Sequence, residues 1–215
     1  MLISEDFMQK ISEKLKTFDY YRLLTYLFVF SLLGWLFETG AVLIEFNHFS
    51  YRGFFFAKQT VHYYFPQIAN DSFLGQLRLV WGLPMIDMYG YGAIIICYTL
   101  GGLKKKPVQL FFIGMILMSL FELIGSYFCS FVLHHDYWDY TDKFMNFQGR
   151  ICLQSAIAWG VLSFITIRWL KPEVDKSYEK VKEKKWYKNM LIVLLVYFVI
   201  CSVVKYIVDP GIIPS

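Results

Sequence analysis

Four apolar runs, roughly 23–46, 107–133, 151–170 and 189–208, constrain this chain more than anything else in it. A bilayer's hydrocarbon core is ~30 Å thick, and a helix needs about 20 residues to cross it. Within that core the backbone must satisfy its own N–H and C=O groups, so spanning segments are helices or closed barrels. Runs this long and unbroken predict helices. A fifth run, 82–101, is interrupted by Pro84, Asp87, Gly90 and Gly92 and closes at Gly101 and Gly102. Residues 93–100 are nevertheless continuously apolar and stop at Lys104, Lys105 and Lys106, so a fifth span is expected, with its outer part broken or re-entrant. The predicted fold is an all-α polytopic membrane helix bundle of about five transmembrane helices.

Composition agrees, since 18% of residues are charged against roughly 25% in an ordinary soluble domain. Basic residues assign the orientation. With five spans, Lys10, Lys14, Lys16, Arg22, Lys104, Lys105, Lys106, Arg168, Lys171, Lys176, Lys180, Lys182, Lys184, Lys185 and Lys188 fall on one side, fifteen of the 21 Lys and Arg residues. The positive-inside rule then expects a multi-pass protein of the cell membrane with its N-terminus in the cytoplasm and its C-terminus outside. Residues 1–22 repeat apolar positions at helical spacing and read as an amphipathic helix on the inner surface, with 23–208 as the bundle and 209–215 as a short outer tail. The Phe- and Tyr-rich stretch 47–78 reads as a long outer loop. After Pro172, Lys and Glu alternate as in a solvated cytoplasmic helix. The expected surroundings are the lipid bilayer; nothing points to nucleic acid.

Ionisable groups inside spans carry the strongest functional signal, because each is costly in hydrocarbon unless paired or hydrated. Glu38 shares a helical face with Ser31, Gly34 and Trp35, and Glu122 lies on the stripe Ser119, Glu122, Ser126, Ser130. Both faces should turn inward, at similar heights in the outer part of the bundle. Arg52, Asp87, Asp139 and Arg150 flank the same end. The stretch Tyr137-Trp138-Asp139-Tyr140, with Asn146 and Gly149-Arg150, reads as a structured cap at the interface. The candidate site is therefore Glu38, Arg52, Glu122, Trp138, Asp139, Asn146 and Arg150. Two readings stay open: a substrate site or proton relay, or an ion network that holds helices in register.

Other chemistry finds little support. His134 and His135 lack a third spaced ligand, so no metal site is expected. Cys97, Cys129, Cys152 and Cys201 form no CxxC pattern and read as buried apolar residues. No Walker-type phosphate loop occurs, so this chain hydrolyses no ATP by that route, and no cofactor is expected.

The order of motifs resembles a bacterial membrane-protein family. Ser31-Leu32-Leu33-Gly34-Trp35-Leu36-Phe37-Glu38 is followed by Tyr51-Arg52-Gly53-Phe54 and Tyr89-Gly90-Tyr91-Gly92-Ala93. Glu122, Trp138-Asp139-Tyr140, Asn146, Gly149-Arg150-Ile151-Cys152-Leu153 and Trp159-Gly160 complete the series. The family is that of putative ABC-transporter type IV proteins, or ABC transporter permeases, and the resemblance covers roughly 25–172. The chain departs from its pattern at Tyr51 (usually Asn), at Asp87 and Met88 (usually Pro-Ile), at Ser130 (commonly an acid) and at Asp136 (commonly Arg). The resemblance implies a membrane transport component working with a separate ATPase. The residues themselves leave open a membrane-embedded enzyme or envelope-modifying factor, with Glu38 or Glu122 as base and the arginines holding an anionic headgroup. They also leave open an accessory protein whose ion network is purely structural. Few polar residues mark the inner halves of the spans, so a complete pathway would call for a homo-oligomer.

Overall fold

The computed structural model describes residues 18–46, 84–132, 134 and 136–203. Arg52, the 47–78 stretch, the tail 209–215 and most of the amphipathic segment 1–22 lie outside the described residues. Among those described, the chain is all-α, with five helices and a single isolated bridge, between Phe147 and Ile151. Helix α1 is Tyr20–Phe46, α2 is Asp87–Thr99, α3 is Pro107–Val132, α4 is Leu153–Val181 and α5 is Lys185–Val203.

Four of the five, all but α2, contain stretches long and apolar enough to cross a membrane. Where a fifth span was expected, over 82–101, the described residues form α2, a helix of 13 residues. At 1.5 Å per residue that is only about 20 Å, short of a full crossing. The expected break lies before it. Ile86 is extended, and its backbone N–H donates to the Ser31 carbonyl of α1 at 3.0 Å, which supplies the partner that hydrocarbon cannot. From that level α2 runs antiparallel to α1, and Tyr98 near its end stacks on Phe18, ring centroids 5.7 Å apart.

Small residues set this pairing. A Cβ on Gly90 would lie 2.5 Å from the Leu27 carbonyl oxygen and would also collide with Ser31, and one on Gly34 would enter the Tyr89 ring. The two backbones therefore approach at a distance only glycine permits, as in other membrane helix pairs.

Helix α3 has two faces of four-residue period. Leu110, Gly114, Met118, Glu122 and Ser126 are buried, while Val108, Phe112, Ile116, Leu120, Ile124 and Phe128 are exposed as a lipid-facing helix requires. Helix α4 packs on the buried stripe, with Ser163 against Gly114 and Gly160 against Phe111, and Gly92 brings α2 to Met118 and Trp159.

The segment 172–188 departs from the sequence-based expectation. No boundary exists at Pro172: α4 passes through a π-helical turn, Thr166–Leu170, and continues as Lys171–Val181. The wider π turn immediately before Pro172 accommodates a residue that lacks an N–H and crowds the preceding turn. Nor is this segment simply solvated, because it packs against the start of α1. Arg22 Nη2 donates to Glu179 at 2.6 Å, Tyr178 donates to Asp19 at 2.6 Å, and Tyr26 donates to Asp175, which also accepts from Lys171 at 2.6 Å. Together with buried Thr25, Ser163 and Thr166, this clamp makes the lysine-bearing half of the bundle more polar than the spans suggested.

Candidate functional site

The connection from α3 to α4 forms the cap, and its hydrogen bonds are mostly its own. Asp139 Oδ1 accepts from the Thr141 backbone N–H at 2.8 Å and from the Thr141 hydroxyl, an arrangement that lowers the pKa of this exposed carboxyl. Asn146 Nδ2 donates to the carbonyls of Thr141 (2.9 Å) and Lys143 (3.1 Å), while its Oδ1 accepts from the Gly149 N–H at 3.1 Å. Trp138 Nε1 donates to the Arg150 carbonyl at 2.9 Å. Gly149 has φ +67°, and a Cβ there would lie 2.7 Å from both Asp139 Oδ1 and Thr141 Oγ1. The glycine is thus required twice, by backbone conformation and by space.

Arg150 fastens this cap to α3. Its guanidinium donates to Ser126 (2.9 Å) and Ser130 (2.7 Å), lies 3.9 Å from Asp136 and stacks on the Tyr127 ring at 4.4 Å. Ser130 also donates to Asp136. Two of the positions at which the chain departs from the resembled pattern, 130 and 136, therefore touch each other and share one arginine. Trp138, Asp139, Asn146 and Arg150, expected to line a site, build the cap and its attachment.

The carboxylates behave differently. Glu122 is 3% exposed, its Oε1 accepts from the Tyr140 hydroxyl at 3.1 Å, and the Ser155 and Trp159 side chains of α4 also face it. Its second oxygen, Oε2, is buried without a hydrogen-bond partner. Arg150, expected in one cluster with the acids, is committed to the serines and Asp136 one and two turns further along α3. Glu38 accepts from the Tyr89 hydroxyl at 3.1 Å. The two pairs adjoin: Tyr89 feels the charges of both glutamates, Tyr140 does likewise, and the Tyr89 and Trp159 rings are 5.8 Å apart. Burial first, and then the adjacent Glu122 charge and hydrogen bond, push the Tyr140 hydroxyl pKa well up, so that it stays a proton donor.

Among the described residues, the site brings together two carboxyls, two tyrosine hydroxyls and the Trp159 indole, supplied by α1, α2, α3, α4 and the cap. Of the expected residues, Glu38 and Glu122 meet here; Arg52 lies outside the described residues. Sequence reasoning missed Tyr89 and Trp159 as partners. Both stand in the motif series of the resemblance, and the small residues that admit their rings, Gly34 and Gly92, were a second signal. Such an array can hold a proton or a cationic group.

Comparison with known proteins bears on the whole bundle. No curated protein and no solved structure matches the chain. A family model described as "Putative ABC-transporter type IV" matches residues 25–207, a stretch that takes in all or most of each of the five helices. By that match the chain belongs to the putative ABC-transporter type IV family of membrane proteins.

Proposed function

We propose that this chain is the membrane-embedded subunit of a transport system, similar to an ABC permease subunit. The Glu38–Tyr89 and Tyr140–Glu122 pairs form its substrate site. In this reading the lysine-bearing end of the bundle faces the cytoplasm and the cap faces outward in the cell membrane, as the distribution of basic residues favours. The observation that carries the reading is Glu122: a carboxyl 3% exposed on the buried face of α3, with Tyr140 donating to Oε1, the Ser155 and Trp159 side chains against it, and no standard hydrogen bond to Oε2. A helix that needed only packing would place an apolar residue on that stripe, since an unsatisfied buried acceptor costs about 1–3 kcal/mol or more.

The chain contains no nucleotide-binding loop, so energy would come from a separate ATPase docked on the cytoplasmic end. The clamp between α1 and Lys171–Val181 offers that ATPase a lever. Force applied to the end of α4 would reach Trp159 and Ser155 through one continuous helix with a π turn in the middle. Affinity purification of the full chain from native membranes in mild detergent tests the reading. An ATP-hydrolysing subunit should co-purify, and its ATPase rate should change in Glu122→Gln. A chain that is recovered alone and fully restores a deletion strain lacking any such ATPase would refute it.

A further inference from the structure

Basic residues at the lysine-bearing end of the bundle fall into two sets. In the clamp, cations meet acids: Arg22 pairs with Asp19, Asp175 and Glu179, Lys171 with Asp175, and Lys182 with Glu179. The other set, Lys104, Lys105, Lys106 and Arg168, stands on acid-free stretches of sequence. No Asp or Glu occurs between Asp87 and Glu122, nor between Asp142 and Glu173. The fold brings these four residues together from two elements. Arg168 Nη1 donates to the Lys104 carbonyl at 2.9 Å, and neighbouring Ile167 is buried in one cluster with Leu100 and Leu110, which pins the turn between α2 and α3 to α4. All four cations are exposed.

Apolar groups flank them. Trp169 is 57% exposed, and its ring lies 5.5 Å from that of Phe164, over which the Arg168 guanidinium sits at 5.8 Å. Arg168 and Trp169 both belong to the π turn Thr166–Leu170, a distortion that recurs at functional sites. Directly after Lys106, exposed Val108 and Phe112 open the lipid-facing stripe of α3. A phospholipid presents the matching order: phosphate, interfacial glycerol, acyl chains. Lysines attract phosphate as point charges, a guanidinium adds a planar fork of donors, and indole rings settle at headgroup level. Basic pockets between membrane helices take anionic headgroups on this chemistry. An acidic protein surface would use the four charges but neither Trp169 nor the apolar stripe beside them.

We propose that Lys104, Lys105, Lys106, Arg168 and Trp169 form a site for the headgroup of an anionic phospholipid in the leaflet at this end, with its acyl chains along the exposed stripe of α3. The site is separate from the Glu38–Glu122 pairs, and it rests on the membrane placement of the helices rather than on the transport reading.

Thermal unfolding of the delipidated full chain in an uncharged detergent provides the test. Dioleoylphosphatidylglycerol should raise Tm in a concentration-dependent way. Phosphatidylcholine with the same chains should not, and neither should inorganic phosphate at the same concentration. With Lys104→Gln, Lys105→Gln and Lys106→Gln combined, the phosphatidylglycerol concentration at half-maximal shift should rise at least about tenfold, since each juxtamembrane cation adds to the attraction. Combining Lys180→Gln, Lys184→Gln and Lys185→Gln removes as many exposed charges elsewhere and should leave the response almost unchanged. If the first triple variant does not fold, Lys105→Glu, a single exposed change, takes its place and should weaken the response. Equal shifts from phosphatidylcholine would assign the effect to acyl chains alone, and equal shifts from inorganic phosphate would make the ligand a free anion. Equal losses in the two triple variants would reduce the effect to net charge. Any of these results, or a full response in the first triple variant (or in Lys105→Glu where that is used), would overturn the assignment. Loss of a co-purifying ATPase from that variant, with its lipid response intact, would give the surface to an acidic protein partner instead.

Discussion

Glu122 and Arg150 meet the same helix yet do opposite work. Arg150 closes a set of polar contacts and ties the cap to α3, whereas Glu122 leaves one contact open inside the bundle. This contrast yields two predictions for single residues. Gly149→Ala forces a left-handed conformation on a residue with a Cβ and drives that Cβ toward Asp139, so it should cost at least ~1–2 kcal/mol and lower Tm in detergent. Asn146→Ala removes three cap hydrogen bonds and should lower Tm together with abundance, because Asn146 serves the cap's architecture. An Asn146→Ala protein of normal stability that had lost activity would mean that the side chain acts on a ligand. At this scale the acids were legible from their cost in an apolar run. The tyrosines were not, because Tyr89 reaches Glu38 from 51 positions away, and only the packing of α2 on α1 says so.

Among elements, the helices themselves were plain in the sequence, and their ends lie within a few residues of the apolar runs. One feature was not. The span expected to end at 170 continues to Val181, because a π turn absorbs Pro172 and because Asp19, Arg22 and Tyr26 wait on α1 to receive the extension. Periodicity carries no sign of such long-range partners. The clamp has a pH dependence. Burial raises the Asp19 pKa, but hydrogen bonds from Tyr178 and Arg22, together with the Arg22 charge, outweigh it and leave the pKa below its ordinary value. A carboxyl with a depressed folded-state pKa stabilises fully above its unfolded value of about 3.9, and the contribution is lost as pH falls through the folded value. Tm should therefore drop more steeply below about pH 4 in the wild type than in Asp19→Asn. Parallel curves for the two proteins would show that Asp19 contributes nothing. On the other face of α1, Gly90→Val should separate α2 from α1 and cost more than any exposed change on α3, since it meets backbone at Leu27. Comparing its Tm with that of Ile116→Val on the exposed stripe measures the difference.

For the whole molecule, the account depends on one arrangement: helices that alternate direction, with the cap and the Glu38–Glu122 site toward one side of the membrane and the α4 clamp at the other. The internal geometry has this form, with Lys104 and Arg168 joined at one end by a 2.9 Å hydrogen bond and Arg150 and Asp136 meeting at the other. Side-specific labelling of intact cells tests which end faces out. All four native cysteines would first be replaced, Cys152 by Ser so that its helix-capping contact with Ser155 is kept. Single cysteines at Asp136 and Asp142 should then react with a membrane-impermeant maleimide added outside, while those at Lys105 and Lys180 should react only after the cells are opened. Labelling of Lys180 from outside, or protection of Asp142, would contradict the orientation and with it an outward-facing carboxylate site.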